Sequence, residues 1–443
     1  MLSGFAQTIK SLNTETVWGT VSSVNGLVIS VAGFRNLSSI GNFCKIITTE
    51  REIPAEVVGF EGSTCLLMAY DTLQGVGPGC RVEIVRQRMS ACPDRSWMGR
   101  VINGLGQPID KKGPILLGNQ EYNLNATAIP ANDRNRLGPR MNLGVRAINT
   151  FITCCRGQRL GVFAGSGVGK SVLLAQMARY SSADVNVIGL IGERGREVRE
   201  FIEDYLGEEG LAKTVLIIAT SDESALIRRQ AANLTLTVAE YFRDQGNHVL
   251  CMIDSITRIA MAMREIGLSV GEPPTSRGYT PSVFTELPRI LERAGPGHES
   301  GNGDITGMIS VLVDGDDHNE PIADAVRGIL DGHLVLSRKI AEYRFPAIDI
   351  LKSISRSMPG CNSAEETRYI QAARRLMSTY EDMEDMIRLG AYRKGSDSSV
   401  DQSIEFHNKL EHFLTQDINE FSDLEDGFRQ LRELLAPLVE NDN

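Results

Sequence analysis

The sequence predicts an α/β protein in which a parallel sheet core lies between an N-terminal β-barrel and a C-terminal helical domain. Residues 17–88 alternate apolar and polar side chains, residues 160–313 alternate short apolar runs with helical segments, and the chain after residue 353 lacks strand patterns. Alternation of apolar and polar residues is typical of strands with one solvent-exposed face. Continuous apolar runs between helices are typical of parallel strands that are covered on both faces. The predicted divisions are a docking helix (1–16), a β-barrel domain (17–95), a central α/β domain (96–352) and a helical domain (353–443).

The barrel is predicted from a series of short strands. In "VWGTVSSVNGLVISVAG" (17–33), alternating apolar residues flank Asn25-Gly26, which is a strong signal for a two-residue hairpin turn. The further strands read "CKIITT", "AEVVGFE", "TCLLMAYD" and "RVEIVRQ". Short strands joined by glycine-rich turns favour a small closed barrel.

The first residues have helical spacing, with Leu2, Phe5, Ile9 and Leu12 on one face. Such a helix either packs on its own domain or docks a partner, and the residues alone favour neither reading.

The composition of the chain argues against several classes of protein. The chain has 443 residues, and 46 Lys and Arg against 56 Asp and Glu leave a net charge of −10, which argues against a surface that coats nucleic acid or an anionic membrane. The eight cysteines form no CxxC pair and predict reduced, mostly buried thiols. Neither a signal peptide nor an apolar stretch of membrane-spanning length is evident, so we expect a cytoplasmic protein.

A phosphate-binding loop is the most specific motif in the chain. The segment Ala164-Gly165-Ser166-Gly167-Val168-Gly169-Lys170-Ser171 joins an apolar strand to an apolar helix, the context that a P-loop requires. Its glycines allow backbone N–H groups to face phosphate oxygens at a helix N-terminus. Lys170 is expected to reach the β- and γ-phosphates of a nucleotide, and the Ser171 hydroxyl to bind Mg²⁺. Alanine rather than glycine at the first position is a mild departure from the motif.

Two carboxylates follow predicted core strands. Asp254 ends "HVLCMID", where an acidic residue organises the magnesium shell of P-loop proteins. Glu193 follows "VNVIGLI" in "IGERGREVREF", at the same predicted edge of the sheet. From its chemistry alone, Glu193 is either a base for an attacking water or a helix N-terminal carboxylate bonded to backbone N–H groups.

Taken together, the motifs resemble the catalytic-subunit superfamily of rotary ATP synthases, and within it the type III protein-export ATPases. The resemblance covers residues 17–440 and depends on "AGSGVGKS", "IGERGREVREF", the long segment 254–295 with "GYTPSVFTELPRILERAG", "EPIADAVRGILDGH" and "FPAIDILKSISR". It implies a RecA-like P-loop core that binds ATP and Mg²⁺ and hydrolyses ATP, most similar to flagellar members of the family.

The resemblance also implies roles for individual residues. Glu193 is expected to be the general base and Arg194 to contact the γ-phosphate. Arg356, in "SISR", matches an arginine finger that enters the neighbouring subunit's site. Phe345, in "FPAID", matches an aromatic residue that stacks on adenine, although rotary β subunits carry tyrosine there.

For partners, the resemblance implies a homohexamer with sites at subunit interfaces, a central coiled-coil stalk protein, a membrane export gate, export substrates with their chaperones, and a stator-like regulator at the N-terminus. It implies a location at the cytoplasmic face of the inner membrane, at the flagellar base, and no nucleic acid. An injectisome (virulence) export ATPase has nearly the same motifs, so this alternative stays open.

Three other classes are less favoured. A rotary ATP synthase β subunit is disfavoured by the "PSVF" segment and by the absence of an uninterrupted acidic run in the helical tail. A ring RNA translocase needs aromatic residues among basic ones, and few basic residues adjoin the aromatic residues of the first 95 positions, which are Phe5, Trp18, Phe34, Phe43, Phe60 and Tyr70. A nucleotide-gated scaffold without activity is disfavoured by Glu193 and Arg356.

Overall fold

A computed structural model describes residues 17–34, 37–86, 89–313 and 320–439. The docking helix predicted at residues 1–16 lies outside the described residues. Within the described ranges, no helix combines the length and apolar character that crossing a membrane requires.

The described chain begins with the predicted barrel. Its strands close in the order β1-β2-β5-β4-β3-β6 and enclose an apolar core of their own. Asn25 pairs with Val28 across the predicted hairpin turn, and Gly26 there has φ +60°, a conformation that glycine adopts without strain. The strands are β1 (Trp18–Asn25), β2 (Val28–Ala32), β3 (Phe43–Ile47), β4 (Glu52–Glu61), β5 (Thr64–Ala69) and β6 (Arg81–Arg86).

The central domain is built on one sheet, whose neighbouring strands follow the order β19-β18-β12-β17-β15-β13-β14-β8 in the described part of the chain. Its strands are β8 (Val101–Asn103), β12 (Arg159–Ala164), β13 (Val185–Glu193), β14 (Thr214–Thr220), β15 (His248–Asp254), β17 (Asp304–Leu312), β18 (Gly332–Leu336) and β19 (Ile348–Ser355), with the short β16 (Gly295–Pro296) paired to β17. The five strands predicted from apolar runs are all present and parallel where they pair. Short two-residue ribbons pair β7 (Ser90–Ala91) with β9 (Tyr122–Asn123) and β10 (Arg140–Met141) with β11 (Cys154–Cys155).

Helices cover both faces of this sheet and then form the C-terminal domain. Those of the central domain are α1 (Arg146–Phe151), α2 (Lys170–Tyr180), α3 (Gly195–Glu200), α4 (Gly207–Ala212), α5 (Ala225–Asp244), α6 (Ile256–Ser269), α7 (Pro281–Leu291), α8 (Pro321–Ile329) and α9 (Arg338–Ala341), and those of the C-terminal domain are α10 (Ala364–Arg388), α11 (Ser398–Leu414) and α12 (Leu424–Val439). A π-helical segment (Phe201–Leu206) joins α3 to α4, and 3-10 turns occupy Arg95–Trp97, Ala131–Asp133 and Ser276–Gly278. A capping box formed by Ser363 and Glu366 starts α10, which explains the sharp change from strand to helix after the sheet.

The predicted architecture of barrel, parallel core and helical tail is confirmed, but the sheet is mixed at one edge. β19 pairs antiparallel with β18 and continues to Ser355, so the boundary predicted after residue 352 falls inside this strand. An edge strand needs cover on fewer sides than a central one, and "IDILKSIS" accordingly places Lys352 and other polar residues among its apolar ones. That mixture hides the strand from a search for continuous apolar runs.

Candidate nucleotide-binding site

The phosphate loop has the backbone shape that its glycines predict. The loop leaves β12 at Ala164 and enters α2 at Lys170, and Gly167 and Gly169 have φ of +77° and +86°, which favour glycine. No side chain caps the first turn of α2, whose N-cap is Gly169. Its backbone N–H groups are therefore available to an anion, and the helix dipole favours negative charge there.

The sheet brings both predicted carboxylates to this loop. Glu193 and Asp254 end β13 and β15, which are adjacent parallel strands, and Leu190 is in register with Asp254. Lys170 Nζ forms an ion pair with Asp254 Oδ1 and lies 3.8 Å from Glu193 Oε1. Ser310, on the intervening strand β17, donates a hydrogen bond of 2.6 Å to the same Asp254 oxygen. The buried Lys170 and Asp254 and the half-buried Glu193 thus lie together at the carboxyl edge of the sheet.

Glu193 is incompletely bonded in this cluster. Its Oε1 atom is buried and has no hydrogen-bond partner among the described residues. Burial, followed by the negative charge of Asp254, raises the pKa of Glu193 to about 7. A buried carboxylate oxygen that lacks a donor is available to a water molecule or to another ligand that supplies one.

The donor set suits magnesium as well as phosphate. Ser171 lies on the first turn of α2, and the Asp254 side chain is only 2% exposed at the adjoining strand end. A hydroxyl and a carboxylate are hard oxygen donors, and Mg²⁺ is usually held by one or two protein oxygens together with water and substrate phosphates. No cluster of three or more acidic, histidine or cysteine ligands occurs in the described ranges.

Phe345 lies beside the phosphate loop, although it is far away in sequence. An added Cβ on Gly169 would lie 3.6 Å from two carbon atoms of the Phe345 ring. The ring is half-buried, so part of its surface stays accessible next to the loop. This position suits the predicted stacking on a nucleotide base.

The two predicted arginines do not join the cluster within one subunit. The Arg194 side chain is 81% exposed and pairs with Glu197 at 3.5 Å. Arg356 follows Ser355, which pairs with Gly332 at the start of β18, and the Arg356 backbone N–H donates to Asp331 O at 2.9 Å. Arg356 therefore lies at the amino edge of the parallel strands, opposite the phosphate loop.

Sequence reasoning missed several groups near the loop. Arg338 Nη2 lies 3.5 Å from Ser166 O, and Arg258, on the first turn of α6, packs against the backbone of Gly192. The Nε atom of Arg258 is buried without a partner in the described part of the chain. Arg258 could have been found from its position on α6, the helix that directly follows Asp254 at the end of β15. No local sequence pattern marks Arg338 or Ser310.

Comparison with known proteins agrees with this geometry. The model of the ATP synthase alpha/beta family nucleotide-binding domain matches residues 144–355, that of the family's β-barrel domain matches residues 21–85, and that of the T3SS EscN ATPase C-terminal domain matches residues 362–433. The fold and the site therefore define a P-loop ATPase of the ATP synthase type.

Individual relatives narrow the class further. The flagellum-specific ATP synthase of Caulobacter vibrioides is 53% identical over 96% of this chain and 98% of its own, and that of Bacillus subtilis is 46% identical over 94% and 95%. The assembled ATPase EscN from the type III secretion system of enteropathogenic E. coli has a TM-score of 0.87 at 38% identity, covering 94% of this chain and 100% of that one. The chain belongs to the ATP synthase alpha/beta family, in the group of the flagellum-specific ATP synthases. The predicted family, fold class and enzyme class, a nucleotide-binding P-loop ATP hydrolase, are confirmed.

Proposed function

We propose that the chain hydrolyses Mg-ATP at the subunit interfaces of a homohexameric ring and thereby promotes the unfolding, chaperone release and export of flagellar proteins. The observation that carries the catalytic part is the buried Oε1 of Glu193, which accepts no hydrogen bond among the described residues although Lys170 Nζ lies 3.8 Å away. Burial of a polar atom without a hydrogen bond costs free energy, and a subunit that only holds nucleotide would gain no activity in return for this cost.

Glu193 is the general base in this proposal. It accepts a proton from water while the water oxygen forms a bond to the γ-phosphorus and the bond from that phosphorus to the bridging oxygen of ADP breaks. Lys170 and the backbone N–H groups of Gly165–Gly169 hold the phosphates, and Phe345 stacks on adenine. Arg194 contacts the γ-phosphate after its ion pair with Glu197 breaks. This ion pair is exposed, so breaking it costs little free energy.

Magnesium is the proposed metal. Ser171 and Asp254 would hold the ion, which would offset the negative charge of the nucleotide's phosphates. Since Lys170 pairs with Asp254 in the structure, we expect Lys170 to exchange this partner for phosphate oxygens when Mg-ATP binds.

Arg356 is proposed to act in the neighbouring subunit's site. β12 separates the amino edge, where Arg356 lies, from the phosphate loop, and its six residues span about 20 Å at ~3.3 Å per residue. The side chain is exposed and forms no ion pair among the described residues. An exposed guanidinium that is remote from its own site and free of a carboxylate is suited to stabilise the phosphoryl group across an interface.

Mixing two inactive variants tests whether Arg356 acts across the subunit interface. Glu193→Gln subunits lack the base, and Arg356→Ala subunits lack the finger. If the finger acts in trans, random mixing gives about a quarter of the interfaces an intact base and an intact finger, and ATPase activity returns on mixing. Activity that stays at the level of the separate variants would show that Arg356 serves its own subunit or has no catalytic role.

The export pathway is proposed from the relatives. Flagellum-specific relatives reach 53% identity, whereas the EscN structures are 38% identical, so the flagellar assignment is favoured over the injectisome. EscN has been solved in complex with its central stalk EscO, in a structure covering 94% of this chain, and we propose an equivalent coiled-coil stalk partner here. Leu389, at the turn between α10 and α11, is a suitable contact for it, because this large apolar side chain is 79% exposed.

The remaining partners follow the same proposal. They are the membrane export gate, export substrates with their chaperones, and a stator-like regulator that binds the N-terminal segment. The protein would then lie in the cytoplasm, at the cytoplasmic face of the inner membrane beneath the flagellum.

Secretion in the cell tests the pathway. The chromosomal codon for Glu193 is changed to glutamine, Glu203→Gln serves as an exposed control, and hook and filament proteins are measured in the culture medium. We expect a severe loss with Glu193→Gln alone. Normal secretion together with lost ATPase activity would contradict the flagellar role and favour an injectisome.

A further inference from the structure

The loop between α11 and α12, residues 415–423, contacts both ends of the candidate nucleotide site. It belongs to the C-terminal domain, yet its partners lie on the phosphate-loop helix α2 and beside the ring of Phe345. Gln416 lies near its start and is 2% exposed. A buried glutamine is uncommon and requires hydrogen bonds for its amide.

Gln416 satisfies these requirements with groups from three segments. Its backbone N–H donates to Phe345 O at 2.8 Å. Its Oε1 accepts from the Arg146 N–H at 2.8 Å, and its Nε2 donates to Gly144 O at 2.8 Å and to Glu420 O at 2.7 Å. The side chain thereby holds the loop against the start of α1, while the backbone holds the residue that faces the phosphate loop.

The same loop is attached to the far end of α2. Gln176 Nε2 donates to Asp417 O at 3.1 Å, and Tyr180 OH donates to Asn419 O at 2.8 Å. Gly144 packs closely on Tyr180, where an added Cβ would lie 2.3 Å from the tyrosine Cβ. Because α2 begins at Lys170, one loop thus relates the position of Phe345 to that of the phosphate-binding helix.

We propose that Gln416 is a positioning residue for nucleotide binding, which sets the distance between the Phe345 ring and the phosphate loop. This inference rests on the proposed function, in which Phe345 stacks on adenine. Gln416 touches neither phosphate nor base in this account and acts through the backbone of Phe345. Its loss therefore weakens binding of ATP and leaves the chemical step at the opposite end of the nucleotide largely intact.

Steady-state kinetics of the full chain test the proposal. We expect Gln416→Ala to raise KM for ATP about tenfold, as loss of several buried hydrogen bonds predicts, and to change kcat by less than about threefold. Gln416→Met, which keeps the length of the side chain without its amide, is the second variant should the alanine form fold poorly. Gln230→Ala removes a buried glutamine from α5 whose Nε2 donates no hydrogen bond among the described residues, and it is the control for loss of a buried amide, with an unchanged KM expected.

A double-mutant cycle with Phe345 separates positioning from general stabilisation. Phe345→Ala by itself should raise KM about tenfold, since stacking of an aromatic ring on a base stabilises the bound nucleotide. If Gln416 acts through Phe345, adding Gln416→Ala to Phe345→Ala raises KM by less than about twofold further. Fully additive effects, or a lowered melting temperature without a change in KM, would overturn the proposal.

The outcomes also distinguish this inference from the proposed function. An unchanged KM in Phe345→Ala would refute the adenine-stacking role on which the inference depends. A raised KM in Phe345→Ala with an unchanged KM in folded Gln416→Ala or Gln416→Met would refute only the role of Gln416.

Discussion

Two buried groups of charges in the central domain differ in how completely they are bonded. Arg293 forms two hydrogen bonds to the Glu240 carboxylate, at 2.8 and 2.7 Å, and further ones to Thr237 Oγ1 and Leu124 O at 2.8 and 2.7 Å. The Lys170–Asp254–Glu193 cluster, by contrast, leaves Glu193 Oε1 without a donor. The complete group serves the fold, and the incomplete one retains bonding capacity for a ligand, at a cost in stability.

The largest effect on activity is expected from Glu193→Gln. Removing the general base should lower the hydrolysis rate by about 10²- to 10⁴-fold, while the neutral amide should leave the free energy of unfolding unchanged or higher, because burial disfavours the charged carboxylate. Phosphate release and thermal unfolding measure the two quantities. Glu203→Gln, at an exposed residue of the π-helical segment that follows α3, is the control. Unchanged hydrolysis in Glu193→Gln would show that Glu193 is not the general base.

The opposite result is expected for the complete group. Arg293→Ala leaves Glu240 buried and unpaired, so the free energy of unfolding should fall by about 3–5 kcal/mol. Replacing both partners, with Arg293→Met and Glu240→Leu, should recover much of this loss, since no charge is then left buried. Denaturant unfolding measures both changes. If Arg293→Ala were as stable as the parent chain, the contrast between the two groups would not hold.

A smaller effect is expected from Ser310→Ala within the site. This change removes the 2.6 Å hydrogen bond to Asp254, and a hydrogen bond to a charged group is worth ~1.5–3 kcal/mol. We expect the magnesium concentration at half-maximal hydrolysis to rise about tenfold, with the melting temperature nearly unchanged. Ser403→Ala, at a buried serine of α11, should leave the magnesium titration unchanged. Equal titrations for both variants would show that Ser310 does not orient Asp254.

The smallest effect is expected at the cysteines, which lie outside both charged groups and differ in how readily their thiols ionise. The hydrogen bond from Cys155 lowers the pKa of Cys361 to about 6, whereas burial raises the pKa of Cys44 to about 12. The thiolate of Cys361 is present above pH 6, so iodoacetamide at pH 7 should label this half-buried residue before Cys44. Lowering the pH to about 5 should slow the labelling, as followed by mass spectrometry. Faster labelling of Cys44 would contradict this order.

Local patterns predicted the parts of the site that lie within one segment. The phosphate loop needs glycine at positions 167 and 169 because φ is positive there, and the carboxylates that end β13 and β15 were visible as acidic residues after apolar runs. The antiparallel edge strand β19 was not predicted, since its mixed pattern does not distinguish a strand from a loop. The roles of Arg194, Arg356 and Phe345 came from family resemblance and remain predictions.

By itself, the sequence determined the order of barrel, α/β core and helices, and the identity of the residues at each strand end, because hydrophobic period and turn chemistry act over a few residues. Only the tertiary structure decided which of these residues meet. Lys170 and Asp254 are 84 positions apart, and Gln416 is 272 positions from the Gly144 carbonyl that it binds. Such contacts depend on the order and register of strands and on helix packing, which are set by burial of the whole core rather than by any local motif.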